Sequence, residues 1–149
     1  MNGQKGMTMV EMLVAIAVTG IIVVFLGTAI YQMTTVTGYG NGRLTALHEL
    51  QNAAYWVNYD GQQATAASVS GGLLLTASDN SVISYSLVGS ELRRTAGGNQ
   101  MTVARNITSA VFSVNDRLIT MSLKSSPQYR EDVSQNGTYR VALRPAGGG

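Results

Sequence analysis

The sequence contains no cysteine, only two prolines and a single histidine, His48. Without cysteine the chain has no disulfide, no thiolate zinc site and no thiol nucleophile. The lone histidine lies on a predicted helix beside Glu49, and no Gly-x-Ser-x-Gly motif is present, so a Ser-His-Asp site is not expected. These absences argue against an enzyme and predict that His48 is a solvated helix residue.

Charge is also sparse, since charged residues make up 12% of the chain and the formal net charge is +2. The ten Lys and Arg residues are scattered, so no concentrated positive field is available to hold a nucleic acid backbone. The acidic residues Asp79, Asp116, Glu131 and Asp132 lack the close spacing of a calcium loop, which supplies about six to eight oxygen ligands. We therefore expect no nucleic acid partner, no metal and no cofactor.

One long apolar segment is present near the start of the chain. Residues 12–30 include no charged residue, and residues 7–10 extend the segment upstream, with Glu11 as the only interruption. A helix rising about 1.5 Å per residue is long enough here to cross a hydrocarbon core of about 30 Å. A secretory signal peptide has a shorter apolar core, followed by a small-residue cleavage site. The segment therefore predicts a transmembrane helix.

Glu11 is the unusual residue of this segment. A carboxylate at bilayer depth costs about 3 kcal/mol on insertion scales, so it needs either water or a partner. Taken alone, the residue allows two explanations. It could lie at the membrane surface, where the dipole at a helix start favours an anion, or it could pair with an opposite charge.

The string KGMTMVE at residues 5–11 resembles the prepilin processing motif of type IV pilins and type II secretion pseudopilins. In that family a short basic leader ends in Gly, and a dedicated peptidase cuts after it. The resemblance implies that residues 1–6, with Lys5 as the leader charge, are removed by cleavage between Gly6 and Met7. It also implies that the same enzyme N-methylates Met7.

The same resemblance assigns Glu11, together with Thr8, to filament assembly. It implies that Glu11 neutralises the amino terminus of a neighbouring subunit, and two opposite charges that are each costly in hydrocarbon become tolerable when paired. Met7 departs from the family, in which Phe is most frequent at this position. The implied partners are other pilin or pseudopilin subunits, prepilin peptidase, the inner-membrane assembly platform and, before assembly, the lipid bilayer.

The resemblance to prepilins divides the chain into three expected regions: a leader at 1–6, a transmembrane and assembly helix at 7–30, and an extracytoplasmic domain at 31–149. Because the leader and Lys5 precede the span, we expect a cytoplasmic N-terminus and a single pass through the inner membrane. The subunit would then enter an extracytoplasmic filament, in the periplasm or at the cell surface.

The domain at 31–149 is expected to begin with the second half of the same helix. Glycines at Gly38, Gly40 and Gly42 predict a kink or local melting. Helical periodicity resumes over residues 43–59, and Asp60-Gly61 predicts its end. The expected buried face of this amphipathic half consists of Leu47, Leu50, Ala54 and Val57, with Leu44 and Ala53 beside it. Trp56, Tyr55 and Tyr59 are expected to form an aromatic group that packs against a sheet, and the alternative is that an exposed ring contacts a neighbouring subunit.

Short alternating runs separated by turn residues predict strands at 73–77, 82–88, 91–95, 101–104, 107–114, 118–123 and 139–143. Residues 62–72 and 125–137 are predicted to be polar loops. Arg93-Arg94 is predicted to be a solvated edge, with an outward patch for a partner or a polyanion as the alternative. The predicted core consists of the apolar members of two alternating strands, namely Ile83, Tyr85, Leu87, Ile119, Met121 and Leu123. The fold class is therefore α+β: a long N-terminal helix, transmembrane in its first half and amphipathic in its second, packed on a mostly antiparallel sheet.

Within the family the layout resembles a J-type minor pseudopilin or a minor pilin. The apolar helix lacks the Pro of many major subunits, no Cys pair closes a C-terminal loop, and residues 83–87, 92–94 and 106–112 resemble those subunits in order. We expect a structural minor subunit that acts in initiation or at the tip. Alternatives are a major pilin, a subunit whose globular domain binds a secreted protein, DNA or a surface, and an unrelated membrane-tethered enzyme or sensor.

Overall fold

The computed structural model describes residues 7–145. The chain forms two compact units, the first ending at Gly38 and the second beginning at Tyr39. Helix α1 spans Met9–Gly61. The strands that follow are β1 (Ala64–Val69), β2 (Leu73–Ala77), β3 (Val82–Val88), β4 (Glu91–Ala96), β5 (Asn99–Ala104), β6 (Ile107–Asn115), β7 (Leu118–Ser125) and β8 (Gln135–Ala142). Two short 3-10 turns, Pro127–Tyr129 and Glu131–Val133, lie between β7 and β8.

The helical backbone continues through Gly38, Gly40 and Gly42, so the prediction of local melting there is wrong. A glycine costs a helix roughly 1 kcal/mol relative to alanine, and long helical segments on both sides offset this cost. Gly42 also has a tertiary contact, because the side chain of Val133 packs on its backbone.

The second half of α1 buries one face within the globular unit. The buried apolar residues of this face are Ala46, Leu50, Ala53 and Val57. Their spacing of four, three and four residues is that of one helical stripe, which was predicted correctly for Leu50, Ala53 and Val57.

The prediction of the buried face is wrong for two of its leucines. Leu44 and Leu47 are 56% and 40% exposed, whereas Ala54 is partly buried and packs against the core. Because Leu44 and Leu47 are apolar, the sequence also allowed a buried face centred on Leu47. In the structure, the buried face is centred on Leu50 and Ala53. The difference is a rotation of the buried stripe around the helix.

The strands form two antiparallel sheets, a five-stranded sheet in the order β1-β2-β3-β4-β5 and a three-stranded sheet in the order β6-β7-β8. Within each sheet, every strand pairs with its neighbour in sequence, and short turns make all of these connections except the one between β7 and β8, which contains the two 3-10 turns. The α+β class with antiparallel pairing is confirmed, although the strands divide between two sheets.

The sheets bury the core that alternation predicted. Tyr85, Ile119, Met121 and Leu123 are buried, while Ile83 and Leu87 are partly buried and pack against the same core. The strands predicted at 73–77 and 82–88 have the predicted bounds, and the others differ by a few residues at their ends.

Two segments predicted to be loops have more structure than expected. β1 lies within residues 62–72, where the sequence ATAASV has few β-branched or large apolar residues and only Ala64 is buried. Within residues 125–137, Ser125, Ser126 and Val133 are buried, and β8 begins at Gln135. Because both segments are mostly polar or small in composition, the sequence did not indicate the strand or the buried residues.

Candidate functional site

Three hydrogen bonds between Thr8 and Glu11, made in both directions, hold the N-terminal end of α1. The Glu11 backbone N–H donates to Thr8 Oγ1 at 3.2 Å. In return, Glu11 Oε2 accepts from the Thr8 backbone N–H at 2.9 Å and from the Thr8 hydroxyl at 3.0 Å. This is a capping box, in which a Thr before the helix and a Glu three residues later satisfy amide groups that the first helical turn leaves unpaired.

The capping box explains why α1 begins where it does. The first helical bond, from Met12 N–H to Thr8 O, is 3.1 Å long. Met7, Thr8 and Glu11 lie together at this end, and all three are exposed. Lys5 and Gly6, the other residues of the expected processing motif, lie outside the described residues.

The helix that follows has an apolar surface on every side. All residues from 7 to 34 are exposed in the single chain. Among the described residues, α1 is the one helix long and apolar enough to cross a membrane. A helix that is apolar all round needs an apolar environment, such as lipid or other helices.

The hydroxyl groups within this apolar segment are satisfied by the helix itself. Thr19 Oγ1 donates to Ala15 O at 2.7 Å, and Thr28 Oγ1 donates to Val24 O at 2.9 Å. Such bonds to the preceding turn remove the cost of placing a hydroxyl in hydrocarbon. Glu11 is therefore the only charged group along the described apolar segment, and it lies at its N-terminal end.

The other polar residues singled out in the sequence do not converge on a site. His48 is exposed on α1, as predicted. Asp79 accepts from the Ser81 backbone N–H in a turn, Glu131 pairs with Lys124, and Asp132 pairs with Arg130. Within residues 7–145, no three His, Asp or Glu side chains are grouped in a way that could hold a metal ion.

A buried charge cluster joins the end of α1 to the five-stranded sheet. Asp60 is 2% exposed and accepts two hydrogen bonds from Arg94, from Nε at 2.6 Å and from Nη2 at 2.8 Å. The Tyr85 hydroxyl also donates to Asp60 Oδ2. Burial and the hydrogen bond to Asp60 raise the pKa of Tyr85, and the hydrogen bond to Asp60 raises the pKa of Arg94.

This cluster corrects the prediction that Arg94 is a solvated edge residue. β4 lies inside the five-stranded sheet, between β3 and β5, and Arg94 points to the same side as the buried Leu92. Its guanidinium also lies over the Trp56 ring, 5.4 Å from the centroid, in a cation-π contact. Arg93, on the opposite side of the strand, pairs with Glu91 at about one-third exposure.

The aromatic group predicted near the end of α1 is confirmed. The rings of Tyr55 and Tyr59 are stacked at 6.4 Å, and Trp56 meets both edge-on at about the same distance. Trp56 packs against the core, as predicted. Tyr55 and Tyr59 remain 61% and 49% exposed, so sheet packing accounts for only one of the three rings.

Comparison with known proteins places a family motif on the N-terminal end. Residues 1–27 match the family model described as the prokaryotic N-terminal methylation motif. No curated protein and no solved structure matches the chain. The motif supports a type IV pilin-like precursor, and it indicates a structural subunit more than an enzyme. Together with the apolar helix, it fits a membrane-anchored precursor.

Proposed function

We propose that the chain is a minor pilin or pseudopilin subunit that is assembled into a type IV pilus or a type II secretion pseudopilus. Prepilin peptidase removes residues 1–6 by cutting between Gly6 and Met7, and it methylates the new amino group of Met7. The observation that carries the proposal is the junction at residues 8–12. There an all-round apolar helix begins directly at the Thr8 and Glu11 capping box, inside the segment that matches the methylation motif.

The apolar helix gives this proposal its physical basis. Its exposed surface needs a bilayer before assembly, and a bundle of similar helices can replace the bilayer afterwards. The partners are therefore lipid first, then the assembly platform of the inner membrane and the helices of other pilin or pseudopilin subunits. The leader's position before the span supports a cytoplasmic N-terminus and an extracytoplasmic globular unit.

Glu11 is proposed to set the register of this bundle. In the single chain its carboxylate is bonded to Thr8, next to the position of the future amino terminus at Met7. In a bundle the carboxylate faces hydrocarbon unless an opposite charge lies close, and the methylated amino group of a neighbouring subunit supplies one. A neighbour placed out of register leaves both charges unpaired.

A minor role, in initiation or at the tip, is favoured by the absence of a cysteine pair and of a proline in the apolar helix. In that role its helix packs against the helices of other pilin-like proteins, and its sheets make the contacts at the tip.

Two variants separate the charge of Glu11 from its role in helix capping. Glu11→Gln keeps a residue that serves equally well at the third helical position of a capping box, but it removes the charge. Thr8→Ala removes the capping hydroxyl and keeps the charge. We expect Glu11→Gln to lower the fraction of subunit incorporated into filaments by about tenfold or more, the equivalent of an unpaired charge costing at least about 1.4 kcal/mol. Thr8→Ala should retain most incorporation.

The readout is the ratio of filament-associated to membrane-associated subunit in cells expressing the filament system. Equal membrane levels and equal leader removal in all three chains are the required controls. Wild-type incorporation of the Glu11→Gln chain contradicts the proposed register role. If Thr8→Ala lowers incorporation into filaments as much as Glu11→Gln does, incorporation depends on the capped helix start and not on the charge of Glu11.

A further inference from the structure

The two sheets have four strands at their edges, β1, β5, β6 and β8, and an unprotected edge can bind a further strand. Three of these strands have a bulge, which interrupts regular pairing at Thr65 in β1, Val103 in β5 and Thr108 in β6. β5 is also bonded from outside the sheet, because Asn52 of α1 donates through Nδ2 to Val103 O at 2.7 Å. These three strands are therefore poor templates for another strand.

The fourth edge strand, β8, has no bulge. It pairs with β7 from Gln135 to Ala142 without a register shift, and it contains no proline. Arg140 is its one charged residue. Within residues 7–145, no strand pairs with the other side of β8. A regular edge of this length is a template for strand addition.

Two amides just beyond the end of β8 show which of its backbone groups face the free edge. Leu143 N–H donates to Arg117 O, beside β7, at 2.9 Å, whereas Arg144 N–H points the other way and donates to Ala64 O at 3.3 Å. Successive residues of an antiparallel strand direct their N–H and C=O groups to opposite sides, so the even-numbered residues of β8 present theirs to the free edge. These residues include Asn136, Thr138 and Arg140. Within residues 7–145, no hydrogen bond to their backbone groups is found.

The charge beside this edge is not balanced by the sheet. Arg140 is exposed and lies opposite Thr120 of β7, which in turn lies opposite Ser113 of β6, so this row across the sheet carries no carboxylate. Lys124 of β7 differs, because Glu131 pairs with it at 2.6 Å. Arg140 has no ion pair with any residue in the range 7–145. A carboxylate is the group that complements it best.

We propose that the free edge of β8 binds an extended segment of a partner protein, which adds a strand to the three-stranded sheet and places an Asp or Glu beside Arg140. The outward backbone groups supply the hydrogen bonds of the added strand, and the guanidinium selects an acidic segment. A second copy of β8 does not meet this requirement, because β8 contains no acidic residue. The inference concerns the globular unit and goes beyond the proposed assembly through the apolar helix.

The probe is a terminally blocked peptide of nine residues that alternates Thr and Val and has Glu in place of one central Thr. It is added to the full chain in detergent micelles, and amide hydrogen exchange is followed by NMR. We expect the amides of Thr138 and Arg140 to exchange at least about tenfold more slowly at saturation. The amides of Tyr139 and Val141, which face β7, should keep their rates. Absence of saturable binding, or of added protection at Thr138 and Arg140, overturns the proposal.

A proline at Thr138 tests the backbone edge. Thr138→Pro removes an N–H that points away from β7, and proline is tolerated at such edge positions. We expect it to weaken binding of the Glu peptide by at least about tenfold, while the Tyr139 and Val141 amides remain protected. The matched control is Thr138→Ala, which keeps the backbone N–H and should bind as the wild type does. Equal binding by Thr138→Pro and Thr138→Ala contradicts strand addition.

A second comparison tests the acidic occupant. Arg140→Gln should bind the Glu peptide about threefold more weakly than the wild type, since an exposed ion pair contributes at most about 1 kcal/mol. A peptide with Gln in place of the Glu should bind both chains equally. If the wild type does not prefer the Glu peptide, the occupant is not selected by charge. A dimer of the free chain that Thr138→Pro abolishes assigns the edge to a second copy and also overturns the proposal. None of these measurements involves leader removal, so their outcome is independent of the proposed filament function.

Discussion

At the scale of single residues, Tyr85 links the stability of the globular unit to alkaline pH. Its hydroxyl is buried and donates to Asp60, and burial together with this carboxylate raises the pKa of Tyr85. An unfolded chain releases the tyrosine proton near pH 10. Above that pH the folded state therefore holds more protons than the unfolded state, and the free energy of unfolding falls as pH rises. The contribution of Tyr85 is complete below about pH 10 and is lost above it.

Urea unfolding of the full chain in micelles, followed by the fluorescence of the single tryptophan Trp56, measures this dependence. In Tyr85→Phe we expect a lower free energy of unfolding at neutral pH, because Asp60 loses a donor, and a shallower fall between about pH 9 and 11. Tyr59→Phe is the control, since Tyr59 is 49% exposed and its ring contacts do not need the hydroxyl. If the free energy of unfolding of Tyr85→Phe falls with pH as steeply as that of the wild type, Tyr85 is not the group that causes the pH dependence.

At the scale of elements, the Asp60 and Arg94 pair ties the end of α1 to β4. Both groups are largely buried, and the guanidinium holds the carboxylate through two bonds. Removing one partner of such a pair leaves an uncompensated charge and costs about 3–5 kcal/mol. We expect Asp60→Asn and Arg94→Met each to destabilise the unit strongly, and the double variant to cost clearly less than the sum.

A double-mutant cycle by urea unfolding gives the coupling energy. The comparison pair is Glu91 and Arg93, which lies on the same strand but is about one-third exposed and should couple by at most about 1 kcal/mol. If Asp60 and Arg94 couple no more strongly than this exposed pair, the link between α1 and β4 rests on apolar packing alone.

The elements also show how far the sequence predicts the fold. Alternation located β3 and β7 because their inward residues are large and apolar, and helical spacing found Leu50 and Val57. β1 was missed because its Ala and Ser residues are typical of loops as much as of strands. Arg94 was placed at the surface because its partner is 34 residues away in sequence. That pairing depends on strand register, which local patterns do not define.

The N-terminal site could also be predicted where its contacts are local in sequence, whereas contacts between distant residues could not. The string at residues 5–11 was informative because its chemistry is local, and a Thr three residues before a Glu is sufficient to form a capping box. The contact between Val133 and Gly42 could not be predicted, because the two residues meet only when the segment between β7 and β8 packs on α1. The glycines alone suggested melting, whereas the backbone of residues 38–42 is helical.

At the scale of the whole molecule, the chain combines an apolar helix with a globular unit that has its own buried core. The first part needs an apolar environment, and the second part buries apolar residues of its own. This division suits a subunit that is held by its helix and displays its globular unit.

The most direct test is the N-terminal sequence and intact mass of the protein purified from its native membrane or filament. The measurement is made in cells with prepilin peptidase and in cells without it. The account predicts a chain that begins at methylated Met7 in the first case and one that keeps residues 1–6 in the second. A leader retained in both, or a cut after the apolar segment, contradicts the account and leaves an anchored or secreted domain in its place.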